Sequence, residues 1–159
     1  LGFLYPKAIG GGSQLVEIAS TGKILIGAMC ILFIVKFIFF MLCFGSGAPG
    51  GIFMPLLVFG AVLGGILGQT FGITLGFGNI YLETFVIAGM AGYFAAIVRA
   101  PVTGIILISE MTGSLSHLLA LSLISLVAYF TADILKAKPV YDQLLDRILE
   151  EVKEQSDAA

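Results

Sequence analysis

Apolar residues run along this chain in long blocks, and Gly, Pro, Ser and Asn clusters break the blocks into unequal lengths. Residues 23 to 44 form a twenty-two-residue block whose charges are Lys23 and Lys36. At 1.5 Å per residue that is long enough to cross a hydrocarbon core of about 30 Å, so one spanning helix is expected. After a glycine-rich break at 45 to 51, a second block from Ile52 to about Phe71 is also long enough to cross. A third, from about Ile80 to Val98, carries Glu83 near its start and ends at Arg99-Ala100-Pro101, where proline stops a helix. The fourth, Val102 to about Thr112, is eleven residues and too short to span. The fifth runs from about His117 to Leu135, and His117 stands where a helix would start.

Beyond Lys136-Ala137-Lys138-Pro139 the pattern changes. Tyr141, Leu144, Leu145, Ile148, Leu149 and Val152 recur at i, i+3, i+4, i+7, i+8 and i+11, and charged residues fill the other positions. This predicts an amphipathic helix. The expected architecture is all-α: a polytopic membrane bundle with broken and short helices. Residues 1–22 form a connecting segment with a short helix, 23–138 the membrane helices, and 139–159 the amphipathic helix and tail.

Composition agrees with this architecture and excludes a soluble domain. Hydrophobic residues make up 58% and charged residues 11%, with a mean hydropathy of +1.08, against roughly 45–50% and about 25% in soluble domains. No charge occurs between Phe37 and Leu82. The net charge of −2 comes largely from the tail after Tyr141 and gives no reason to expect nucleic-acid binding. Cys30 and Cys43 lie thirteen residues apart with neither CxxC spacing nor a nearby His, so they read as small apolar residues in a packed helix, and no metal site or cofactor is expected. The chain starts at Leu1 and reads as a fragment of a longer protein. Gly60, Gly64, Gly68 and Gly72 recur every fourth residue, making a smooth helix face suited to close packing within one bundle, with a dimer contact as the alternative.

Broken helices in lipid need their freed backbone groups covered by protein or turned to a cavity, and transporters use them to aim helix ends at ions. The sharpest candidate is Gly45-Ser46-Gly47-Ala48-Pro49-Gly50-Gly51-Ile52-Phe53-Met54-Pro55. Gly50 and Gly51 let the backbone turn, and Pro55 fits a first helical turn where its missing N–H is no loss. The amides of Gly51, Ile52 and Phe53 would then point out of a helix start, an anion site without a formal charge. An ordinary helix–helix turn is the competing interpretation. No Gly-Lys-Ser/Thr follows, so it is not a phosphate loop.

The stretch GSGAPGGIFMP with LVFGAVLGG after it, then FVIAGMAGYFAAIVRAPVTGIILISEMTG and KPVYDQLL in order, resembles the CLC family of chloride channels and chloride/proton antiporters. The resemblance runs from about Lys23 to the last helix and corresponds to the second of two inverted halves of that family's membrane domain. It implies chloride as the transported ligand, bound by the backbone amides of Ile52 and Phe53 and the hydroxyl of Tyr141, with Gly50, Gly51 and Pro55 supporting the loop. It further implies a multi-pass protein of the cell membrane and a homodimer whose interface includes helices matching 102 to 113 and 117 to 136. The family's first-half loops, with an anion-binding serine and a gating glutamate, do not occur here, so channel and antiporter are not separated. Ser46 accordingly reads as a loop residue.

Glu110, inside an apolar run near Arg99 in sequence, invites a proton-relay role, against a structural pair or helix-end hydrogen bond. Two other function classes can be framed. One is an intramembrane serine hydrolase using Ser46 and His117, which lacks the nucleophile-elbow glycine and a group to orient the histidine. The other is a non-transporting assembly subunit, which leaves the anion-directed helix start without a purpose. Lys136, Lys138 and Arg147 after the fifth run place the C-terminus in the cytoplasm.

Overall fold

A computed structural model describes residues 12–22, 24–45, 51–76, 78, 80–113 and 116–157. Its elements are all helical: α1 (Ser13–Thr21), α2 (Ile26–Gly45), α3 (Phe53–Leu75), α4 (Leu82–Val98), α5 (Pro101–Thr112), α6 (Leu118–Ile134) and α7 (Val140–Asp157). The expected blocks appear with shifted ends. The second block continues as helix to Leu75, four residues past Phe71, because Gly76 in the left-handed conformation supplies its stop. His117 is the residue capping the start of α6. Lys23 and Gly50 lie outside the described residues.

α3 and α4 form the centre, and the glycine face explains how closely they approach. A Cβ added at Gly60 would come within 2.6 Å of the Gly89 carbonyl, one at Gly64 would collide with the Phe85 carbonyl, and one at Gly68 would sit 2.8 Å from the Phe85 side chain. Gly89 faces the Gly60 carbonyl in return. The stripe therefore packs within the bundle. Its last member, Gly72, receives Gly78 of the α3–α4 turn, whose N–H donates to the Gly72 carbonyl at 3.2 Å.

The other helices surround this pair. α1 inserts Leu15 and Ala19 beside Met29 of α2, and Ala19 and Met29 meet α3 at Gly65. Phe33, Phe37 and Phe40 of α2 surround the buried Phe59 of α3 edge-on, with ring centroids 5.5, 5.8 and 5.6 Å away. Between α4 and α5 the chain turns at Arg99 (φ 63), passes through a non-helical Ala100, and restarts with Pro101 as the first helical residue. Hydroxyls inside the apolar helices return to the preceding turn: Thr70 donates to the Ile66 carbonyl, Ser122 to Leu118 and Thr131 to Val127, each at 2.7 Å.

The outward faces stay apolar. Ile31, Ile34 and Leu42 on α2 and Leu119, Val127 and Phe130 on α6 are each more than half exposed, a surface suited to lipid or to other protein and not to water. Among the described residues two helices, Ile26–Cys43 within α2 and Phe53–Leu75, are long and apolar enough to cross a membrane, while α4, α5 and α6 are shorter apolar helices. Cys30 and Cys43 correct an expectation: both are exposed on α2 instead of packed inside. A twenty-residue helix lying at the side of the bundle leaves much of its circumference outward, and both cysteines fall there.

Candidate functional site: the α3 start and the α7 first turn

The backbone settles into helix at Ile52, with φ −73 and ψ −25, after an exposed Gly51 that has open space where a side chain would stand. The first bond of the α3 ladder runs from the Leu56 N–H to the Ile52 carbonyl at 3.2 Å. Helix geometry leaves the amides before it, at Ile52, Phe53 and Met54, without intrahelical acceptors, and Pro55 has none to offer. Those three N–H groups and the dipole behind them form the positive end of a twenty-three-residue helix.

Ile52 opens on a cavity of about 330 Å³. α3 lines it with Ile52, Leu56 and Phe59, and α2 with Phe37, Phe40 and Met41. Tyr93 and Ile97 come from α4, and Val140, Gln143 and Leu144 from the first turns of α7. None of these lining residues is charged. A helix start facing such a cavity offers partial positive charge without the tight grip of a lysine or arginine.

The anticipated residues occupy different places. Ile52 lines the cavity. The Phe53 side chain turns into the core, edge-on to Phe94 at 5.3 Å, so what it presents to the helix start is its backbone. Tyr141 sits in the first turn of α7 but is 51% exposed and is not among the lining residues, although Val140, Gln143 and Leu144 around it are. Gly50 and Ser46 fall outside the described residues. On α7 much of the apolar stripe is uncovered, since Leu145, Ile148 and Leu149 are exposed, and among the described residues of that face Leu144 lines the cavity.

Glu110 is exposed, and its backbone carbonyl accepts the Gly113 N–H that ends α5. Arg99 does not turn to Glu110. It reaches α6 instead, 3.3 Å from Asp133, and lies over the Tyr129 ring. Sequence reading missed Tyr93 and Gln143 as cavity residues: Tyr93 lies in an apolar run like any core aromatic, and Gln143 lies among other polar residues of an amphipathic helix. The Gln143 amide donates to the Lys138 carbonyl at 2.8 Å, steadying the entry to α7.

The model of the voltage gated chloride channel family matches residues 1–133. The chain belongs to that family. The proteins named H(+)/Cl(-) exchange transporter ClcA from Salmonella arizonae, Salmonella paratyphi B and Salmonella newport are each 41% identical to it over 149 residues, covering 94% of this chain and 32% of the relative. The chain thus spans about a third of the length of these curated relatives. Family membership makes this a membrane chain. The α3 start presents amides without intrahelical acceptors and the positive end of the helix dipole.

Proposed function

We propose that the protein to which this chain belongs carries chloride across a membrane, and that the anion rests at the α3 start on the amides of Ile52 and Phe53, with the Tyr141 hydroxyl as a further donor. The observation that carries this reading is the convergence of the α3 N-terminus and the α7 first turn on one uncharged cavity. Coupled chloride/proton exchange is favoured over a channel by the names of the relatives, which are exchange transporters. Tyr141 is half exposed in the first turn of α7, next to the cavity-lining Val140. The functional unit is a multi-pass homodimer, in which the exposed apolar residues Val102, Ile106, Leu119 and Leu123 of α5 and α6 meet the second subunit.

Chloride efflux from liposomes containing the full-length protein tests the transport reading, and a wild-type protein that moves no chloride would overturn it. Tyr141→Phe removes one neutral donor, worth about 0.5–1.5 kcal/mol, so chloride affinity by calorimetry should fall by up to about tenfold with the fold intact. An unchanged affinity would remove Tyr141 from the ligand set.

The same reading orients the chain. Lys136 and Lys138 directly follow α6, and the positive-inside rule then places α7 in the cytoplasm. A cysteine at Ser156 should react with an impermeant thiol reagent in inside-out vesicles and stay unlabelled in intact cells. Labelling from outside would reverse the orientation.

A further inference from the structure

Left-handed backbone strains any residue with a Cβ, and helix ends normally put glycine there. Gly22, Gly76 and Gly113 follow that rule after α1, α3 and α5. Among the described residues two others break it, Arg99 at φ 63 and Lys136 at φ 51. They stand at the ends of two different helices, α4 and α6. Arg99 ends α4, and Lys136 ends α6 in a turn where its N–H donates to the Asp133 carbonyl at 2.9 Å and the Ala137 N–H to the Ala132 carbonyl at 3.2 Å. The Ala137 carbonyl then accepts a 2.8 Å hydrogen bond from Arg99 Nη2.

Other parts of the Arg99 side chain are held too, although its buried Nε has no hydrogen-bond partner among the described residues. It is 12% exposed, Nη1 donates to the Tyr129 carbonyl at 3.3 Å, and the guanidinium carbon lies 5.3 Å from the Tyr129 ring centroid. Its ion pair with Asp133 is not the anchor, because Asp133 is 70% exposed and solvent screens the pair. The remaining contacts go to main-chain carbonyls: a part-buried one at Tyr129 of α6 and the shortest of the set, at the exposed Ala137 in the 136–139 linker that delivers α7. A glycine at position 99 would relieve the backbone, so retention of a strained arginine points to its side chain.

We propose that Arg99 is a positioning residue for the anion site: by holding the Ala137 carbonyl it sets where the first turn of α7 stands relative to the α3 start. The inference rests on the chloride reading above. Ile97, two residues before Arg99, and Val140, three after Ala137, line the cavity that also contains Ile52, so the clasp joins two of its walls. α7 rests on the bundle chiefly through α4. The hydrogen bonds from Gln143 to the Lys138 carbonyl and from Lys138 to Asp146 lie within the linker and α7 and move with them. A guanidinium suits the task because its planar fork serves two carbonyls at once, which a lysine ammonium on a flexible stem does less well.

The test uses the full-length protein in three forms, wild type, Arg99→Gly and Arg99→Met, with chloride affinity by calorimetry and thermal unfolding without chloride measured on each. Arg99→Gly removes backbone strain together with the clasp. It should retain wild-type thermal stability or gain some, while chloride affinity drops about three- to tenfold. Low millimolar guanidinium sulfate, against sodium sulfate at the same concentration, should restore affinity in Arg99→Gly and leave wild type unchanged. Arg99→Met retains the apolar stem without donors and settles the matter if the glycine variant does not fold; its affinity should fall similarly. A folded variant of either kind with wild-type chloride affinity would overturn the proposal, as would an affinity loss that only tracks lost thermal stability. A wild-type protein that neither binds nor moves chloride would instead overturn the transport reading, so the two failures are distinguishable.

Discussion

Ile52→Pro is expected to weaken chloride binding by about ten- to more than a hundredfold while α3 stays in place. The substitution deletes one amide at the helix start, and a hydrogen bond to an anion is worth roughly 1.5–3 kcal/mol. The local backbone tolerates it unusually well. Ile52 already has φ −73, within the range of a proline ring. The Leu56 N–H to Ile52 carbonyl bond survives, since proline retains its carbonyl. The residue before it is Gly51, exposed and with open space around it, which absorbs the restriction proline places on its predecessor. Ile52→Val retains the amide and nearly the shape, so its affinity should stay within a few-fold of wild type. Calorimetric titration of chloride into the folded full-length variants decides between amide and side chain. Equal affinities in Ile52→Pro and wild type would show that this amide is not a ligand.

Gly64→Ala should destabilise the protein by about 1–3 kcal/mol, a large effect for a single methyl group. The added carbon would collide with the Phe85 carbonyl and stand 3.0 Å from the Val86 Cα. Both are backbone of α4, with no rotamer through which to retreat. The helices would have to separate, loosening the Gly60–Gly89 contact next to it. Gly27→Ala is the matching control, because on α2 a Cβ at Gly27 meets nothing within 4 Å. It should be neutral or stabilising by up to about 1 kcal/mol through helix propensity. Thermal unfolding of the full-length protein in one detergent compares the two. Equal stability of Gly64→Ala and wild type would mean that α3 and α4 do not approach this closely.

The helical class, the breaks between helices and a start of α3 that leaves amides free were legible in the residue pattern, because each depends on local chemistry. Apolar run length sets which segments can cross a bilayer, Pro101 and Gly113 set where α5 begins and ends, and the spacing from Tyr141 to Val152 makes α7 amphipathic. The glycine period announced a close approach as well, since four-residue spacing puts Gly60, Gly64, Gly68 and Gly72 on one face whatever lies opposite. What lay opposite was not legible. That α4 fills the face, that Phe59 gathers three rings from α2, and that Arg99 prefers the end of α6 to Glu110 all depend on chain segments distant in sequence. The outward placement of Cys30 and Cys43 belongs here too: an apolar helix with no polar side carries no mark of which face turns inward. Tertiary structure alone also formed the cavity, because four helices must meet before Ile52, Tyr93 and Val140 have a common space. The sequence by itself determined which segments become helices and where a helix start offers amides, since those follow from neighbours along the chain. The partners across each interface were decided by packing, which no single segment encodes.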